Sequence, residues 1–141
     1  MSATPTTLAG AVTFIWLGMV LAISFLEAPL KFRAPGVTLQ LGLGIGRLVF
    51  RALNVCELLF AVVIGVTLLN HESSVGADVS LVVAVSALLV QTVLLRPMLS
   101  RRTAAVLAGD ERRRSIVHYF YVAFEIVKVI ALIAGGVLLL N

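Results

Sequence analysis

A chain of 141 residues that is 60% hydrophobic and 13% charged, with a mean hydropathy of +1.10, lies far from a soluble domain, which is about half apolar and a quarter charged. The net charge of +4 does not point to nucleic acid, because the basic residues flank apolar runs instead of gathering into one patch. The lone cysteine, Cys56, excludes an internal disulfide and a cysteine-based zinc site. The expected class is a single all-α integral membrane domain, with no room for a second domain beside it.

Four spans are expected in chain order. The first runs from about Leu8 to Ala28 and should stop at Pro29. No Lys or Arg precedes it, so it reads as a retained span and not as a signal peptide. The second runs from about Leu48 to Leu69, the third from about Val79 to Leu95 before Pro97, and the fourth from Ser115 to Leu140. Each is near the ~20 residues that cross ~30 Å of hydrocarbon.

Between the first two spans, Val37, Leu39, Leu41, Leu43 and Ile45 alternate with Thr38, Gln40, Gly42, Gly44 and Gly46. That period of two predicts an extended segment shielded by the bundle or by water. The alternative is a helix contact of the small-xxx-small type through Gly42 and Gly46. The glycines do not match a dinucleotide fingerprint. After the third span, the stretch from Arg101 to Ala108 reads as a short helix, and the last helix as starting near Glu111.

Ten of the eleven basic residues lie in or beside the loops after the first and third spans, on one side, whereas the loop after the second holds Glu72 and Asp78 and no Lys or Arg. The positive-inside rule makes the basic side cytoplasmic and puts both termini outside. Arg47 and Arg51 are candidates to touch anionic lipid headgroups, each such charge contributing about 1 kcal/mol near the surface.

Each span also carries polar residues on one face. In the fourth, Tyr121, Glu125 and Lys128 lie within about 80° of His118 on a helical projection. In the second, Arg47, Arg51, Asn54 and Glu57 share a face. The first contributes Thr13, Trp16, Ser24 and Glu27, with Lys31 continuing the stripe. The third contributes Ser80, Ala84, Ala87 and Gln91. An ionised group at mid-membrane costs about 2.5–3.5 kcal/mol, so such groups face a protein interior or a wet cavity. Four polar seams turned toward each other make a four-helix bundle with a polar core.

The candidate ion- or solute-binding residues are therefore Glu27, Asn54, Glu57, Gln91, His118, Tyr121, Glu125 and Lys128. Two buried carboxylates and one lysine do not neutralise. Either Lys128 pairs with one acid while the other holds a proton, or the three share protons as a coupled group. The two readings are a site for a small ion or polar solute, coupled to protons, and an accessory subunit that binds lipid or a partner, its polar core structural. Trp16 and Tyr119 read as packing or interface residues.

No cofactor is expected. A haem held by two histidines needs both at one depth, and His71 and His118 are at opposite ends. His118 with Glu27 lacks a diagnostic metal spacing. No serine, cysteine or threonine stands beside a candidate base, so covalent catalysis has no support.

The opening Trp16-Leu17-Gly18 and Phe25-Leu26-Glu27-Ala28-Pro29-Leu30-Lys31-Phe32 resembles the W-x-G and A-P-x-x-F start of small four-helix membrane domains. These are the transmembrane-protein-205-like domains and, more remotely, the copper-resistance D domain. The similarity covers about the first fifty residues; the later histidine-containing pattern of those families is not evident. The resemblance implies four helices and assigns no activity or site residue.

Overall fold

The computed structural model describes residues 5–69, 74–95, 97, 98, 101 and 116–140, without the side chains of 5, 6 and 116–118; the short helix expected from Arg101 to Ala108, beyond its first residue, and the helix start expected near Glu111 lie outside the described residues. All regular structure among the described residues is helical. Four helices are α1 (Pro5–Val20), α2 (Leu39–Leu69), α3 (Val75–Val90) and α4 (Ile116–Leu140). Helix α1 continues through a wide π-type segment, Leu21–Glu27, a turn at Ala28–Leu30 and a tight turn at Lys31–Arg33. Helix α3 likewise continues through Gln91–Leu95. With these extensions, each of the four is long and apolar enough to cross a membrane.

The first span does not stop at Pro29. Proline lacks the N–H that would reach four residues back, and its ring crowds that carbonyl. Here the preceding turn is widened, with the Ala28 N–H donating to the Ile23 carbonyl five residues back, and the helical path runs on to Arg33. A π-type turn is a known way to absorb such a mismatch.

The extended reading is also overturned, for residues 39–46. Ala34 to Val37 form a turn closed by the Val37 N–H on the Ala34 carbonyl, 3.2 Å. Pro35 and Gly36 occupy its centre, and Gly36 has φ +83°, the conformation that a type II turn demands of its third residue. The Thr38 hydroxyl then accepts the Leu41 N–H at 3.1 Å, capping α2, which begins nine residues before the expected Leu48. Gly42 and Gly46 are buried, and the small-xxx-small alternative describes them. A Cβ on Gly42 would run into the Phe32 ring. Gly42→Leu should therefore cost about 1–3 kcal/mol by overpacking, with Phe32→Ala restoring part of the loss. Thermal unfolding of the single and double variants in detergent checks the coupling.

Helices α1 and α4 form the centre of the bundle; α2 packs on α1, and α3 packs on α4. The contact between α2 and α3 is slight. Two consecutive glycines let α4 meet both of its neighbours closely. A Cβ on Gly135 would sit 3.1 Å from Leu81 of α3, and one on Gly136 would sit 2.8 Å from Phe14 of α1. Helix α3 starts at its own cap, the Ser74 hydroxyl accepting the Ala77 N–H at 3.1 Å.

The apolar core gathers Ala9, Leu17, Val20, Ile64, Ala77, Leu81, Ala84, Leu88, Leu132 and Leu139. It fills the end of the bundle that holds residue 7 of α1 and the 69–75 connection. The outward faces are apolar too: Leu59, Val62 and Val66 of α2, Val79, Val82 and Val93 of the third helix, and Ile126, Ile130 and Ile133 of α4 are all exposed. Apolar residues thus cover both the inside and the outside of the bundle, as expected of helices long and apolar enough to cross a membrane.

Candidate functional site

The centre of the site is Lys128, on α4. It is completely buried, as is Glu57 of α2, and Glu125 is 2% exposed. The ammonium lies 2.5 Å from Glu57 Oε2 and 2.6 Å from Glu125 Oε1. Its third contact is Gln91 Oε1, which accepts at 2.9 Å. An ammonium has three protons to donate, so its capacity is filled. The i, i+3 spacing places Glu125 beside it on the same helix, while α2 and α3 bring Glu57 and Gln91.

Each partner is held in turn. Gln91 donates through Nε2 to the Tyr121 carbonyl at 3.1 Å, which ties the end of α3 to α4. Glu57 Oε2 also accepts the Trp16 indole N–H at 2.7 Å. Glu125 Oε2 accepts the Ser24 hydroxyl at 2.9 Å. Ser24 and Gln91 both lie in the π-type segments. The two widened turns thus deliver two of the three neutral side chains, Ser24, Gln91 and Trp16, that hydrogen-bond to the ion cluster.

The charges do not balance: two carboxylates face one ammonium. The oxygens are also unequally served. Glu57 Oε2 takes both donors, and Glu57 Oε1 is buried with no hydrogen-bond partner. Asn54, one turn back on α2, is buried, and its Oδ1 has none either. Buried polar atoms are usually bonded, so a pair of orphan acceptors on one face calls for a physical reason.

Of the residues expected to form the site, Glu57, Gln91, Glu125 and Lys128 are brought into direct contact. Tyr121 is buried and meets the Phe50 ring edge-on at 6.2 Å between centroids. Glu27 stands apart, its carboxylate 3.8 Å from Lys31 in an i, i+4 pair. The side chain of His118 lies outside the described residues. Arg47 and Arg51 are exposed, on the length of α2 beyond the cluster. Trp16 and Ser24 are the residues whose role was missed. Trp16 is not merely packing, since its N–H ends on a carboxylate. The signal for both was their place on the polar stripe of the first span.

No group of three or more His, Cys, Asp or Glu suited to a metal ion occurs among the described residues. Comparison with protein-family models, with curated proteins and with solved structures finds no match to this chain.

Proposed function

We propose that this is a four-span protein of the cell membrane, both ends outside, whose Glu57–Lys128–Glu125 cluster takes up and releases a proton in the course of binding or conducting a small ion or polar solute. The observation that carries the reading is the charge count: two acids on one lysine, sealed in the bundle. With both acids ionised the cluster bears a net negative charge in a medium where that is expensive. One proton or one small cation makes it neutral. A site that is neutral only when it holds an exchangeable cation is a natural ion-responsive element. Glu57 Oε1, buried without a partner, is the acceptor available to it.

The second reading, an accessory or assembly subunit with a structural core, draws on a different observation. Lys128 makes all three hydrogen bonds that it can, as a fixed strut between three helices would. Lipid surrounds the bundle in either case, with Arg47 and Arg51 at headgroup level on the cytoplasmic side. Four helices enclose little space, so a path for a solute fits better between copies of the chain. A resemblance to the transmembrane-protein-205-like domains is consistent with either reading.

The experiment is proton and cation flux in vesicles reconstituted with the full chain, under an imposed pH gradient. Flux above that of protein-free vesicles is expected. Flux equal to theirs, together with infrared carboxyl bands that do not change between acid and alkaline buffer, would hand the case to the structural reading.

A further inference from the structure

The polar residues of the interior are not spread evenly along the bundle. On the side of the cluster toward the 69–75 connection, the buried positions are Ala9, Ile64, Ala77, Leu81, Leu132 and Leu139, all apolar. The one buried hydroxyl there among the described residues, Thr13, commits its proton to the Ala9 carbonyl at 2.7 Å. Toward the 34–38 turn, the buried polar atoms continue. Glu57 Oε1 is followed one turn along α2 by Asn54 Oδ1, both without a partner. The next turn is Phe50, which meets the Tyr121 ring and lies under Lys31, whose ammonium is 5.8 Å from the Phe50 centroid. Lys31 rests against Gly46, where a Cβ would be 2.6 Å from Nζ. Its partner Glu27 is 3.8 Å away, beyond hydrogen-bond reach, and Glu27 Oε2 is buried without a donor.

We propose that the cluster exchanges protons with one end of the bundle only, the end of the 34–38 turn, along a water-lined passage bordered by Asn54 and Tyr121 and closed at its mouth by Glu27 and Lys31. This rests on the reading of the cluster as a proton-exchanging site and adds the side from which it is reached. From Glu57 to Phe50 is seven residues, about 10 Å of helix, a length that a few waters bridge at ~2.8 Å spacing. Orphan acceptors at Glu57, Asn54 and Glu27 are the partners that such waters need. The other half offers none among its described buried residues, and a proton does not cross a packed apolar layer. Among the described residues, the charged and titratable groups facing Glu57 are Lys128 and Glu125 from α4; Trp16 bonds to it from α1, and Gln91 of the α3 extension bonds to Lys128 beside it. Glu27 and Lys31 come next, at the mouth.

Trp16 is the only tryptophan in the chain, and it donates directly to Glu57. Its fluorescence therefore reports on the cluster. The test uses vesicles with the full chain in one orientation, assigned by impermeant thiol labelling of a Thr38→Cys, Cys56→Ala variant. The pH is stepped on one side while the other is held by buffer. Trp16 emission is expected to follow the pH on the 34–38 side and to ignore the other. Asn54→Leu should slow that response roughly tenfold, the equivalent of about 1.4 kcal/mol. A response to the opposite side, or equally to both, overturns the one-sided passage and leaves the proton-exchanging cluster standing. An emission that does not change with pH even for the detergent-solubilised protein overturns the cluster reading itself. Should Asn54→Leu not fold, the sidedness of the unaltered protein decides alone.

Discussion

Lys128→Met is expected to lower the unfolding free energy by about 3–5 kcal/mol, the range seen when one partner of a buried ion pair is removed. Methionine is close to lysine in length and volume, so the change is one of charge and not of size. What changes is the electrostatics. Glu57 and Glu125, now joined by the ammonium at 2.5 and 2.6 Å, would face one another with no cation, and Gln91 Oε1 would lose its donor. Adding Glu57→Gln and Glu125→Gln to the same chain should recover stability to within about 1–2 kcal/mol of the unaltered protein. A fully neutral replacement of a buried ion cluster is often tolerated. Thermal and denaturant unfolding in detergent measures both. If the single change costs under about 1 kcal/mol, the three charges are not coupled in a low-dielectric interior and the cluster as an ionic unit is wrong.

The cluster was largely legible in the residues, because the physics that builds it is helical spacing. Glu125 and Lys128 are one turn apart on any helix, and Asn54 with Glu57 and Gln91 on a line of alanines mark the buried faces of the other two. Partners were less legible than members. Trp16 is large and apolar enough to read as packing, and nothing in its spacing says that its N–H ends on Glu57. Ser24 points at Glu125 only because the turn around it is widened, a consequence of accommodating Pro29 that the rule of proline as a stop hides. The stretch from Thr38 to Gly46 misled for a different reason. Its glycines sit at every second position, which imitates a strand, yet Gly42 and Gly46 are also four apart. Close approach of Phe32 and Lys31 to these glycines decides for the helix. The Pro35-Gly36 turn and the Thr38 cap mark that helix start, and the alternation of glycines masks them.

Glu57→Gln and Glu125→Gln are expected to bring proton-coupled flux in reconstituted vesicles to the level of protein-free ones while leaving unfolding free energy within about 1 kcal/mol of the parent. Each change leaves one acid for one lysine, a cluster that is neutral without an exchangeable proton. The folding half of the expectation follows from the geometry of each amide. At position 57 the carbonyl oxygen can keep the Lys128 and Trp16 donors, which share a single oxygen now. The amide nitrogen then takes the place of Glu57 Oε1, one helical turn from the unpartnered Asn54 Oδ1, and an N–H directed there would satisfy it. At position 125 the carbonyl oxygen keeps Lys128, and the Ser24 hydroxyl can turn from donating to accepting. The two readings of the protein diverge here. A strut needs only the hydrogen bonds, and both amides supply them, so a structural cluster would leave whatever the protein does in the membrane intact. A site that works by gaining and losing a proton fails in a chain that folds as well as its parent. Variants that do not fold at all would mean that the charges themselves hold the helices together, and the structural reading would then be preferred.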